Sequence, residues 1–353
     1  PRLVFGQVKL ALIGGGPGLF VFVFYKKGGF VHSINYVRCS FLFQMEKLPE
    51  LLAHRPSPLQ ELADSQGIRL YVKRDDLLHP HISGNKWRKL KYNLMEASRR
   101  GYGKLLTFGG AYSNHLAAVA AAGQEFGFST LGIVRGERAL PLNPTLSFVE
   151  KCGMELVYMS RANFKNKSHI SLLESLKIQQ EDYYILPEGG SNCLALQGAA
   201  ELVGEIENQL RFVPNYICTA CGTGATLAGI VSGLRGRGSA LGVSTLKGDF
   251  LKNEVTNFLQ TCGEPALDNW QISTDYHFGG YAKFTPELVD FINNFKQQTG
   301  IPLDPVYTGK LFYAVFDLMK KGFFEKGATV VLVHTGGLQG VAGFNERFGN
   351  LIT

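Results

Sequence analysis

Residues 104–135 read KLLTFGGAYSNHLAAVAAAGQEFGFSTLGIVR. The apolar run at 104–108 predicts a buried strand, the Ala-rich stretch at 113–126 a helix, and TLGIVR at 130–135 a second strand. A strand, a helix and a strand joined by short Gly turns are a crossover unit, whose two strands lie parallel. The alternation continues outward. IRLYVKR at 68–74 predicts a strand. Residues 85–100 predict a helix, with Trp87, Leu90, Leu94 and Ala97 on one face at spacings of three and four. A helix near 144–152, strands at 154–159 and 214–219, and a helix at 224–234 follow. A last strand at 329–334 runs into Gly336–Gly337. The fold class is therefore α/β, with two parallel sheets, each flanked by helices, over about 300 residues. Ligands in such folds bind beyond the C-terminal ends of strands.

Composition narrows the function. The 353 residues are 45% hydrophobic, enough for a sizeable core. The 42 glycines follow no Gly-X-Y period, so they mark tight turns and ligand loops rather than collagen. Residues 1–44 hold five basic residues and no acidic one, so they carry five of the seven net positive charges. The remaining 309 residues are close to balanced, which removes the basis for a nucleic-acid partner. Six cysteines in a chain this long predict no disulfide framework and a reduced, cytoplasmic setting. Cys218 and Cys221 lack a second pair or a His partner, so they read as structural, and no metal is expected.

The first 44 residues differ from the rest. LALIGGGPGLFVFVFY at 10–25 is uncharged between Lys9 and Lys26. It falls short of the ~20 residues that a helix needs to cross a bilayer, and no cleavage signature follows it. Its GGGPG lacks the G-x-G-x-x-G spacing, because Leu19 stands where the last Gly belongs. The expectation is that Met45 is the biological start, that 1–44 lies outside the fold, and that no membrane is involved.

Three segments beyond predicted strands carry candidate chemistry. Ser83-Gly84-Asn85-Lys86-Trp87-Arg88-Lys89 opens a helix. A lysine there meets the positive end of the helix dipole and has Arg88 and Lys89 nearby. All disfavour its charged form, which makes Lys86 a candidate amine nucleophile. Cys221-Gly222-Thr223-Gly224-Ala225-Thr226 lets the backbone approach an anion at a helix N-terminus. No Gly-Lys-Ser/Thr follows, so a phosphate monoester suits it better than a nucleotide. Gly109-Gly110-Ala111-Tyr112-Ser113-Asn114-His115 is again a helix start, with Ser113 as cap and room for a carboxylate. Pro305–Lys310, His334–Gly337 and Tyr281 after Gly279–Gly280 are weaker signals alone.

Together these segments resemble the pyridoxal-phosphate (PLP) enzymes of the tryptophan-synthase-β type (fold type II). More narrowly, they resemble the family of 1-aminocyclopropane-1-carboxylate (ACC) deaminases and D-cysteine desulfhydrases. The match runs from about Leu48 to the C-terminus: K-R-D-D at 73–76, S-G-N-K at 83–86, S-N-H at 113–115, the C-G-T-G-A-T loop, D-P-V-Y at 304–307 and H-T-G-G at 334–337. The resemblance implies that Lys86 holds the cofactor as a Schiff base and acts as base. It implies that Lys89 and Gly222, Thr223, Gly224, Ala225 and Thr226 hold the phosphate, and that Asn114 meets the ring hydroxyl. Ser113, Asn114 and His115 would receive the substrate carboxylate, with Ser113 near the reacting carbon. Tyr307 and Tyr281 would face an amino-acid substrate, with Thr308 among the residues that bind it. It further implies a large domain of 45–88 plus 191–353, a small domain of 89–190, and a homodimer. Deaminases of the family have Glu after the D-P-V-Y tyrosine and Leu in H-x-G-G. This chain has Thr308 and Thr335, as desulfhydrases do. The resemblance places the Thr335 hydroxyl at the cofactor's ring nitrogen, where it supports a weaker electron sink than a carboxylate. Expelling a thiolate, whose acid has a pKa of ~8.5, needs less than opening a cyclopropane. The expected reaction is α,β-elimination from D-cysteine or a related 3-substituted D-alanine, with ACC deamination as the alternative and a non-catalytic phosphate-ligand binder on the same fold as the lower-ranked one.

Overall fold

A computed structural model describes residues 4–5, 8–14, 19–27, 30–33, 48, 50, 52, 56–62, 67–166 and 169–353. Residues 1–53 form one unit and residues 54–353 another. In the first, β1 (Val4–Phe5), β2 (Val8–Gly14), β3 (Leu19–Lys27) and β4 (Phe30–Ser33) make an antiparallel sheet in sequence order. The apolar run at 10–25 therefore supplies two paired strands, in register from Val8 with Tyr25 to Gly14 with Leu19. Among the described residues no helix is long and apolar enough to cross a membrane.

The second unit carries two sheets. Along the chain come β5 (Leu59–Glu61), β6 (Arg69–Lys73), α1 (Asn85–Arg99), β7 (Lys104–Gly110), α2 (Asn114–Phe126), β8 (Ser129–Arg135), α3 (Pro144–Lys151) and β9 (Glu155–Met159). Then follow α4 (Arg161–Asn166), α5 (His169–Ser175), β10 (Tyr184–Leu186), α6 (Cys193–Leu210), β11 (Tyr216–Cys221), α7 (Ala225–Leu234), β12 (Ser239–Ser244) and α8 (Leu251–Thr261). The chain closes with β13 (Trp270–Ser273), α9 (Pro286–Thr299), α10 (Thr308–Lys320), β14 (Thr329–Val333) and α11 (Gln339–Phe348). The larger sheet runs β13-β12-β11-β14-β6-β5, parallel except for β5 against β6. The smaller runs β10-β7-β8-β9, all parallel.

The central strands are continuous apolar runs because both faces are covered. Along β14, Val330 and Leu332 pack with Leu311, Phe312 and Val315 of α10, whereas Val331 and Val333 pack with Leu227, Ile230 and Val231 of α7. One strand thus feeds two cores through its two-residue period. In the larger sheet the strand order reverses between β11 and β14, and in the smaller between β7 and β10. Such reversals open a crevice at the strands' C-terminal ends.

The structure corrects the cysteine reading at one point: Cys193 and Cys262 form a disulfide, Cα atoms 5.3 Å apart. Cys193 begins α6 and Cys262 caps α8. Only the fold brings these positions together across 69 residues. Cys218 and Cys221 are free and buried, and burial raises both thiols, Cys221 to about 12. They act as small apolar core residues, as read from the sequence.

Candidate active site

A cavity of about 630 Å³ lies at the strand ends. Its wall takes Lys86 and Lys89 from α1, 110–115 from the turn after β7, 222–226 from the turn after β11, and Thr335–Gly337 beyond β14. Both strand-order reversals therefore open into one space. Tyr307 and Tyr281 line it as well. Of the site residues that the resemblance implies, the structure brings all together except Thr308.

Thr308 is fully buried at the start of α10 and is absent from the wall. Its hydroxyl donates to Asp304 Oδ1 (2.8 Å) and accepts from the Asp304 N–H (2.9 Å). Asp304 in turn accepts the N–H groups of Val306, Tyr307 and Thr308. This is a carboxylate cap on exposed helix donors. Thr308 is consumed in it, which corrects its expected place against the substrate.

Gly84 fixes the approach of Lys86. Its φ of 64° is open to glycine, and a Cβ there would overlap the Thr335 carbonyl. That closeness lets the Asn85 N–H donate to the Thr335 carbonyl (3.2 Å) and the Gly84 N–H to the Asp75 carbonyl (3.0 Å). The Asn85 side chain donates to Thr226 Oγ1 (3.0 Å), tying α1 to the glycine loop.

The basic run 86–89 divides by function. Arg88 points into the core, donating to both oxygens of Asp75 (2.6 and 2.7 Å) and both of Glu205 (2.8 and 2.9 Å). Lys73 joins Glu205 at 2.8 Å. With two carboxylates on it, Arg88 does not press on Lys86. Lys86 is nonetheless lowered to about 8, by burial. That corrects the expectation that neighbouring cations would do it. Lys89 is 2% exposed and is held well below the ordinary lysine range, by burial first and then by the charge of Lys86. Both amines converge on the Gly189 carbonyl, Lys89 at 3.2 Å and Lys86 at 3.5 Å.

Two buried amines facing one neutral carbonyl leave positive charge uncompensated, and an anion belongs there. The glycine turn beside them admits one: a Cβ on Gly222 would stand 3.2 Å from the Tyr307 ring, inside the cavity. Thr223 shares a hydrogen bond with Ser191 (2.8 Å), and Ala225 and Thr226 open α7, whose first N–H groups have no partner within the helix. The residues present fit the phosphate of PLP.

Ser113 caps α2, its oxygen accepting the Leu116 N–H at 3.2 Å. Asn114 and His115, the first two helical residues, line the cavity. The His115 ring nitrogens are buried, beside the Pro187 backbone. Burial, then Lys86 and Lys89, holds the ring far below its ordinary range, hence neutral. Burial and the neighbouring Tyr281 push the Tyr307 phenol well above its ordinary range, so it stays protonated.

Sequence reasoning missed the polar part of the wall built on Arg135, Glu188 and Gly189. Arg135 ends β8 and Glu188 follows β10, and the two pair at 3.5 Å. Gly189, whose carbonyl holds the amines, follows Glu188. The strand-end rule that found Gly109 and Gly222 applies equally to Glu188-Gly189-Gly190, but β10 has only three residues and was too short to predict.

The comparisons agree with this geometry. The family model for pyridoxal-phosphate dependent enzymes matches residues 51–336. A protein of Pyrococcus horikoshii, provisionally named as an ACC deaminase, is 34% identical over 312 residues, covering 84% of this chain and 94% of its own. The mitochondrial bifunctional D-cysteine desulfhydrase/ACC deaminase of Arabidopsis thaliana is 31% identical, covering 82% of this chain and 78% of its own. A crystal structure of an ACC deaminase homologue superposes with a TM-score of 0.73 at 29% identity, covering 88% of this chain and 99% of that one. The chain belongs to the pyridoxal-phosphate dependent enzymes of the tryptophan-synthase-β-like fold, within the ACC deaminase and D-cysteine desulfhydrase family.

Proposed function

We propose that the enzyme eliminates sulfide from D-cysteine, which with water gives pyruvate, ammonia and hydrogen sulfide. PLP, when bound, supplies the electron sink for the carbanion at the α-carbon. The chain's own residues do the rest. Lys89 and the 222–226 turn hold the phosphate end, and Asn114 orients the ring. The N-terminus of α2 receives the substrate carboxylate through the N–H groups of Asn114 and His115, with the Ser113 hydroxyl beside them. The Lys86 amine, lowered toward neutrality, takes the α-proton. Tyr307, kept protonated, gives a proton to the departing sulfur, with Tyr281 behind it.

The observation that carries this reading is the Thr335–Gly337 side of the wall. It offers a hydroxyl and backbone groups, and among the described wall residues the one carboxylate is Glu188, which is engaged with Arg135. A hydroxyl at the ring nitrogen favours a good leaving group over ring opening. ACC deamination is the second reading, because the Arabidopsis relative's name joins both activities. Purified holoenzyme offered D-cysteine and ACC separately decides between them. Sulfide and pyruvate from D-cysteine, with kcat/KM at least about tenfold above that for ACC, are expected; faster 2-oxobutyrate formation from ACC overturns the proposal. We also propose that 45–88 with 191–353 forms the cofactor domain, that 89–190 forms the smaller one, and that the enzyme acts as a homodimer. Sedimentation at micromolar concentration tests the last point.

A further inference from the structure

We propose that Lys310 is a positioning residue that sets Tyr281 against Tyr307. The inference rests on the reading above, in which both tyrosines face the substrate. Tyr281 is 49% exposed, so packing does little to hold its ring. Its place beside Tyr307, ring centroids 6.2 Å apart at 68°, rests on the hydrogen bond between the two phenols and on its backbone. That backbone is two consecutive turns. The Gly280 N–H donates to the His277 carbonyl (3.0 Å), and the Lys283 N–H to the Gly280 carbonyl (3.1 Å). Phe278 and Ala282 both take left-handed φ values, 52° and 53°, which side-chain-bearing residues adopt at a cost. Within the loop the Gly279 N–H also donates to His277 Nδ1 (2.8 Å), and contacts from outside add to the selection of this form.

Lys310 does so. It is fully buried, and its Nζ donates to the His277 carbonyl and to the Gly280 carbonyl, each at 2.8 Å. These are the two carbonyls that close the turns, and Gly280 immediately precedes Tyr281. On the other side, Lys310 lies three residues after Tyr307, whose N–H is anchored on Asp304 (2.9 Å). One amine therefore couples the helix start that carries one tyrosine to the loop that carries the other.

The test uses holoenzyme with Lys310→Met, Lys310→Arg, Tyr281→Phe and the double variant Lys310→Met/Tyr281→Phe. Lys310→Met keeps the stem and removes the donors. It is expected to lose hydrogen-exchange protection at the Gly280 and Lys283 amides and to lower kcat about tenfold or more, the scale of a misplaced reacting group. The KM and the visible cofactor absorbance stay near wild type. Lys310→Arg, which restores charge and donors, recovers part of the loss. The double variant is no worse than its worse single variant. Folded Lys310→Met with wild-type loop protection, or with a loss that adds in full to that of Tyr281→Phe, overturns the proposal. If Lys310→Met does not fold, wild-type exchange decides: the two amides must exchange far more slowly than an open turn, and fast exchange overturns it. Loss of loop protection in Lys310→Met combined with full activity in Tyr281→Phe would instead remove the tyrosine from the mechanism and leave Lys310 its role.

Discussion

Replacing Lys89 by Met should change cofactor affinity and cofactor-free stability in opposite directions. In the structure Lys89 is buried and, among the described residues, its amine has only the neutral Gly189 carbonyl within hydrogen-bond reach; burial is the main cause of its lowered pKa. A charge-assisted hydrogen bond to a phosphate is worth about 1.5–3 kcal/mol, so its loss should weaken PLP binding by about 10- to 150-fold. Without the cofactor the same amine is a liability, and removing it should raise the urea midpoint at pH 7. The pH dependence has a definite sign. A lysine whose pKa is lower in the folded state leaves the unfolded chain binding more protons between the two pKa values, so stability rises with pH across that window. For Lys86, about 8 folded against 10.5 unfolded, the gain is about 3 kcal/mol from roughly pH 8 to 10.5. Its cause is burial, so this rise persists in Lys89→Met, while the part due to Lys89 disappears. Urea titrations of cofactor-free protein at pH 7 and 9, with PLP titrations followed by absorbance, measure all three. A variant that is no more stable than wild type at pH 7 and binds PLP within about twofold would refute the reasoning.

Other substitutions probe the remaining parts. Gly84→Ala must part the Thr335 and Gly84 backbones and occupy a conformation suited to glycine; a loss of about 3 kcal/mol or more by denaturation is expected, with weakened cofactor retention. Arg88→Met leaves the buried Asp75 carboxylate without its counter-ion while Glu205 keeps Lys73, so a destabilisation of about 3–5 kcal/mol is expected, and a neutral result would show that the cluster is not sealed from water. Tyr307→Phe should lower kcat for sulfide release about 100-fold or more with KM little changed, as for loss of a general acid. Because Tyr307 is held well above its ordinary range, wild-type kcat should show no loss from its ionisation up to about pH 10.

The strands and helices predicted from periodicity between residues 68 and 334 lie within two residues of those observed, whereas the elements at 161–210, those at 239–320 and the last helix at 339–348 were not predicted. The strand predicted at 104–108 extends to Gly110, and the helix predicted at 113–126 begins at Asn114 with Ser113 as its cap. Burial on both faces writes such elements into the chain as apolar runs and small-residue helices. The glycine and lysine motifs were legible for a related reason, since a turn that must meet an anion tolerates few side chains. Thr308 was misplaced because its role depends on Asp304, four residues away, whose carboxylate folds back onto the helix start. Glu188 and Gly189 were missed because a three-residue strand leaves no period to read.

Local pattern in the sequence determined that strands and helices alternate, that the strand ends carry ligand turns, and which residue types stand there. The direction of each charged side chain was decided by the tertiary structure alone. Arg88 and Lys89 are neighbours on one helix, yet one turns into a pair of carboxylates brought from 13 and 117 residues away and the other into the cavity. The physical reason is that a buried charge is set by what surrounds it in space, and those surroundings come from segments far apart along the chain.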